Sequence, residues 1–147
     1  MTYSLFKSTR KSVLIVSCFA FFLGFCLFSA NAYAFKVVEQ GISKMAPNNQ
    51  DSNNFEKLTD FPQDWPIVYY WVKYADASVG DKIVARFQYI DQEPTTFSEV
   101  SDVIDKASEL WIVNAALNPG KSWPQGKYKV TLLVNDKEVS TLEYEVK

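Results

Sequence analysis

The chain has 147 residues, 15 basic against 17 acidic, a formal net charge of −2, and no histidine. That balance, with no dense basic run, argues against nucleic acid as a partner. The missing imidazole removes the usual general base near neutral pH, the commonest transition-metal ligand and every Ser-His or Cys-His arrangement.

Residues 1–34 read as a secretory signal peptide. Lys7, Arg10 and Lys11 form a basic start, residues 12–28 (SVLIVSCFAFFLGFCLF) are uncharged and apolar, and Ser29 to Ala34 supply small residues ending in Ala32-Tyr33-Ala34. Charge, apolar run and Ala-x-Ala in that order place cleavage after Ala34, with a periplasmic or secreted mature chain. The alternative is an uncleaved leader, which would be the protein's one attachment to a membrane. Lipidation is not expected: bulky Phe25 precedes Cys26, and a cut at Cys18 would leave an apolar run at the new N-terminus. Both cysteines lie in this leader, so the mature chain has neither disulfide nor thiol chemistry. Removing 34 residues leaves 113, enough for one domain with one core. Three of the 15 bases leave with the leader, so 12 face 17 acids and the net charge becomes −5.

The mature chain divides into residues 35–66, a first strand with a flexible loop, and 67–147, the main part of the same domain. Residues 35–45 (FKVVEQGISKM) are the first strand, and 46–54 (APNNQDSNN) have nothing to bury and read as a loop. Pro62 and Pro66 then bracket Trp65. Residues 67–74 (IVYYWVKY) and 82–90 (KIVARFQYI) are strands, the second with Ile83, Ala85, Phe87 and Tyr89 on one face and Arg86 and Gln88 on the other. Residues 95–107 (TTFSEVSDVIDKA) fit either period; the flanking strands favour strand over helix. Residues 108–117, 127–134 and 138–146 complete about seven antiparallel strands. Short strands at regular spacing, without a long helix, indicate an all-β sandwich.

Residues 123–128 (WPQGKY) suggest how that sandwich turns its corner. A tyrosine at the start of the penultimate strand can bury its ring and bond its hydroxyl to upstream backbone. This role falls to Tyr128, behind Trp123, Pro124 and Gly126. Pro124 fixes φ, Gly126 permits a turn that a Cβ would obstruct, and Asn135 tolerates the positive φ of a tight hairpin.

The pattern Trp123-Pro124-x-Gly126-Lys127-Tyr128-x-Val130, the Asn-containing turn and the aromatic-Val ending resemble the last hairpin of bacterial immunoglobulin-like domains in exported proteins. Residues 80–89 (GDKIVARFQY) resemble the strand such domains build around an inward aromatic, here Phe87. The resemblance spans residues 67–146 and implies an immunoglobulin-like sandwich. It implies no particular activity, because that fold hosts adhesion, sugar-binding, inhibitor and architectural modules alike. The disulfide of antibody domains is absent, and Phe87 stands where their core Trp would be.

Chemistry is sparse. Asp102 and Asp105 read as a solvated edge, and the acidic turns (Asp76 with Asp81, Asp91 with Glu93) lack EF-hand spacing. Neither a metal, a cofactor nor catalysis is expected. The oddity is 67–74, apolar on both faces. With Lys73 marking the outer face, Tyr69 and Trp71 lie outside, with Arg86 and Gln88 as neighbours, an arrangement suited to binding another envelope or extracellular protein. The rival reading has the segment 46–66, with Phe55, Phe61 and Trp65, folded over that face. Two other functions stay open: a carbohydrate-binding module stacking sugars on Trp71 and Trp123, and a small protease-inhibitor-like protein presenting its loops.

Overall fold

The computed structural model describes residues 34–48 and 55–147. The leader assignment therefore lies outside the described residues except at Ala34, and most of the 46–54 loop does too. Eight strands follow in chain order: β1 (Lys36–Ser43), β2 (Asp60–Phe61), β3 (Ile67–Ala75), β4 (Lys82–Tyr89), β5 (Thr95–Val103), β6 (Glu109–Ala116), β7 (Gly126–Val134) and β8 (Lys137–Val146). They form a three-stranded sheet in the order β1-β3-β6 and a five-stranded sheet in the order β2-β8-β7-β4-β5. All pairs are antiparallel except β2 with β8. The molecule is thus all-β, with the expected strands in place and one more. The two-residue β2 escaped notice because no two-residue pairing has a period to read.

The core lies between the sheets. Alternation sends Val68, Tyr70, Val72 and Tyr74 inward from one sheet and Ile83, Ala85 and Phe87 from the other, all buried. Phe87 is fully enclosed and meets Tyr70 edge-on at 6.5 Å between ring centres. The ambiguous 95–107 segment is strand up to Val103. A helix would have buried Val103 with Ile104; instead Val103 is 61% exposed and Ile104 1%. Ile104 is pinned by backbone bonds to Asp81 and Gly80, each 2.8 Å.

Along one side the sheets are tied by Gln40 of β1. Its Oε1 accepts from Tyr70 Oη (2.8 Å) and Ser140 Oγ (2.9 Å), and its Nε2 donates to the Thr141 carbonyl (3.0 Å). Burial pushes the Tyr70 phenol well above its ordinary range, so it stays a donor. On the opposite side β5 and β6 belong to different sheets and share no ladder.

The corner closes as the sequence suggests. Tyr128 is buried and its hydroxyl donates to the Pro124 carbonyl at 2.7 Å. Its ring sits among Trp123, Tyr89, Phe97 and Tyr144. Burial, with a smaller contribution from Tyr89, pushes its hydroxyl up to about 12. Gly126 has φ 132°, and a Cβ there would lie 2.7 Å from Asp91 Oδ2. Asn135 (φ 48°) and Asp136 (φ 64°) form the hairpin turn between β7 and β8. Tyr128→Phe keeps the ring and removes the bond, so it should lower stability by about 0.5–1.5 kcal/mol in urea unfolding. An unchanged midpoint would reduce the corner bond to decoration.

Candidate functional site

Residues directly opposite one another across a sheet share a face, and the registers set out the outer face of the three-stranded sheet in rows. Glu39, Lys73 and Leu110 form one row, Gly41, Trp71 and Ile112 the next, then Ser43, Tyr69 and Asn114. Such an apolar face needs a cover, and the residues that lead into β2 provide it.

Trp71 is completely buried. It lies over Gly41, where a Cβ would come within 2.6 Å of the indole. Phe55 packs edge-on against it at 5.0 Å, and its Nε1 donates to the Glu56 carbonyl at 3.0 Å. The Lys57 and Lys73 ammonium groups stand 5.8 and 5.9 Å from its ring. Glu39 bridges both lysines, at 2.6 and 2.9 Å, and these bonds hold its carboxyl below the usual range, Lys57 contributing most. Finally the Leu58 amide donates to the Ile42 carbonyl, sealing the strap to the β1 edge.

A groove remains beyond each end of this cover. One, of about 570 Å³, runs past Val38, Phe55, Lys73 and Glu109. The other, of about 420 Å³, is lined by Lys44, Met45, Trp65, Pro66, Ile67 and Tyr69, with Ala46 beside them. Trp65 is 39% exposed yet held firmly. Its Nε1 donates to the Lys44 carbonyl (3.1 Å), and its own carbonyl accepts from Trp123 Nε1 (2.8 Å). The Lys44 ammonium stands 5.7 Å from the Trp65 ring, and no carboxylate among the described residues pairs with it. Met45 at the rim is 73% exposed. Such a groove can take a flat or aliphatic group, with a cation at its mouth for an anion.

These positions correct the sequence reading of the site. Trp71 is not a surface residue, and Tyr69 is half-buried in the wall of the smaller groove. Arg86 and Gln88 are on the outer face of the other sheet, across the sandwich from Tyr69, so the four residues form no common patch. Both are also engaged: Arg86 pairs with Glu99 at 2.8 Å, and Gln88 bonds Thr96 and Thr131. The sugar platform of Trp71 and Trp123 fails similarly, since Trp123 is only 4% exposed. Trp65, Lys44 and Met45 were not singled out for binding. The available signal is a tryptophan between two prolines after a polar loop, a pattern that fits a covering segment as well.

No protein-family model and no curated protein matches the sequence. Among solved structures, the fold is similar to an immunoglobulin-like protein of Pseudomonas aeruginosa, with a TM-score of 0.50 and 9% identity over 79% of this chain and 99% of that one. An alkylpurine DNA glycosylase of Pseudomonas fluorescens, bound to DNA containing an abasic site analogue, gives a TM-score of 0.48 and 11% identity over 78% of this chain and 30% of its own. At such identities the likeness concerns the fold alone. The chain has an immunoglobulin-like β-sandwich fold.

Proposed function

We infer that this sandwich is an exported, non-catalytic binding module of the bacterial envelope, and that it engages a protein partner through the Trp65–Tyr69 groove. The leader composition supports export, and the W-P-x-G-K-Y hairpin resembles that of immunoglobulin-like domains in exported bacterial proteins. The groove carries the binding reading: a half-exposed tryptophan, a half-buried tyrosine, an exposed methionine and a lysine with no carboxylate partner among the described residues sit together beyond one end of the cover. Aromatic anchors with a neighbouring cation are the side chains that dominate binding energies. A second reading is supported by the ring of Trp65 itself, which offers the flat surface a sugar stacks on.

Trp65→Ser tests both. It should lower the urea midpoint measurably, because the ring is partly buried and its Nε1 bond to the Lys44 carbonyl is lost, yet leave the chain folded and abolish capture of the partner from envelope extract. Capture that persists in this variant removes the groove from the mechanism. Quenching of tryptophan fluorescence by glycans, lost in the same variant, would select the sugar reading over the protein one.

A further inference from the structure

We propose that the protein forms a symmetric dimer in which β6 pairs antiparallel with β6 of a second copy, through a sheet edge that borders the Trp65 groove but is built from different backbone groups. The argument starts from where the backbone groups of β6 point. The Leu117 amide donates to the Pro66 carbonyl at 2.9 Å, so Pro66 and Leu117 face each other as a hydrogen-bonding pair. Antiparallel pairs alternate between bonded and non-bonded. In the β3–β6 register, Val68 with Ala115, Tyr70 with Val113, and Val72 with Trp111 are therefore bonded. The amides and carbonyls of Leu110, Ile112, Asn114 and Ala116 point the other way, off the edge of the sheet. Among the described residues nothing pairs with them.

The other edges are blunted, each differently. β1 is engaged by Leu58 and, through Gln40, by β8. β2 is two residues long. β5 is broken by a bulge at Phe97 and carries Glu99 and Asp102. From Leu110 to Ala116, β6 has no charge, no proline and no bulge. Natural sheets seldom leave such an edge open, because it templates another strand.

The sequence of β6 fits a second copy of itself. With a two-fold axis at Val113, the outward groups of Ile112 meet those of Asn114 of the second copy, and Leu110 meets Ala116. Between them Trp111 faces Ala115 and Val113 faces Val113. Large side chains thus meet small ones on both faces, and no like charges are opposed. The product is a continuous sheet in the order β1-β3-β6-β6-β3-β1, with an isologous interface.

Sedimentation of the protein as isolated from its own cells should give a dimer. Asn114→Lys puts a charge on an exposed residue of the edge, and should weaken dimerisation at least tenfold; at concentrations low enough for both proteins to be monomeric, the unfolding midpoints should coincide. The register has its own readout, in a Cys18→Ser, Cys26→Ser background. Val113 lies on the axis in a non-bonded pair, whose Cα atoms approach to about 4.5 Å. Val113→Cys should therefore cross-link on mild oxidation, whereas Ala115→Cys, which faces Trp111, should not. A wild-type chain that sediments as a monomer, an Asn114→Lys variant that dimerises unchanged, or an equal yield of cross-link from both cysteines would each overturn the proposal.

Discussion

Trp71→Ala should lower the unfolding free energy by about 3–5 kcal/mol, the range for removing a buried aromatic. Few side chains here are enclosed from so many directions: Gly41 below, Phe55 at the edge, Lys57 and Lys73 beside the ring. The Glu56 carbonyl also loses its indole donor, but Glu56 is exposed and water can replace it, so the loss is mostly packing. Urea unfolding is the measurement. A change below about 1 kcal/mol would mean that the strap closes over the vacated space or contributes little to begin with. The size of the effect also decides how to read any binding defect in Trp71 variants. With this burial, such a defect reports a damaged fold.

Gly41→Ala should destabilise by about 1–3 kcal/mol, from the opposite error of overfilling. The new methyl would meet two indole carbons at 2.6 and 2.8 Å, and Lys57 Cγ at 3.0 Å. The indole is hemmed in and cannot swing away, so either it lifts Phe55 or β1 shifts in register. Combining the two changes gives a sharper result. In a Trp71→Ala background the methyl enters empty space, and the second substitution should be nearly neutral. The coupling should exceed about 1 kcal/mol, as for residues in direct contact. Additive effects would show that the glycine answers to something other than the ring above it.

Much of the sandwich was legible because strands facing a core on one side must alternate. The Ile83, Ala85 and Phe87 face of β4 and the Val130, Leu132 and Val134 face of β7 are read directly from the sequence. The corner at Tyr128 was legible for another reason: Trp, Pro, Gly and Tyr each carry a conformational demand that few local geometries satisfy together. What alternation does not carry is the identity of the sheet. Parity told that Trp71 and Arg86 both point out of the core, and they do. It could not tell that they point out of opposite sides, because β3 and β4, adjacent in sequence, belong to different sheets. Nor does parity say what returns over a face. Phe55 covers Trp71 through a segment with no period of its own, leaving Trp65 as the half-exposed tryptophan where two were expected elsewhere.

The parallel pairing of β2 with β8 has a consequence under load. Glu145 donates to Thr59, Lys147 to Phe61 and Gln63 to Lys147, and the Lys147 side chain reaches Asp60 at 2.9 Å. The chain enters this pairing from its N-terminal side on one strand and leaves from its C-terminal side on the other. Tension drawn between the two sides therefore pulls the strands lengthwise past each other. The three backbone bonds lie across that pull and must give way together, whereas a hairpin peeled from its open end loses its bonds one by one. A clasp of this kind, with Phe61 buried in the core beside it, resists stretching more than its three bonds would resist peeling.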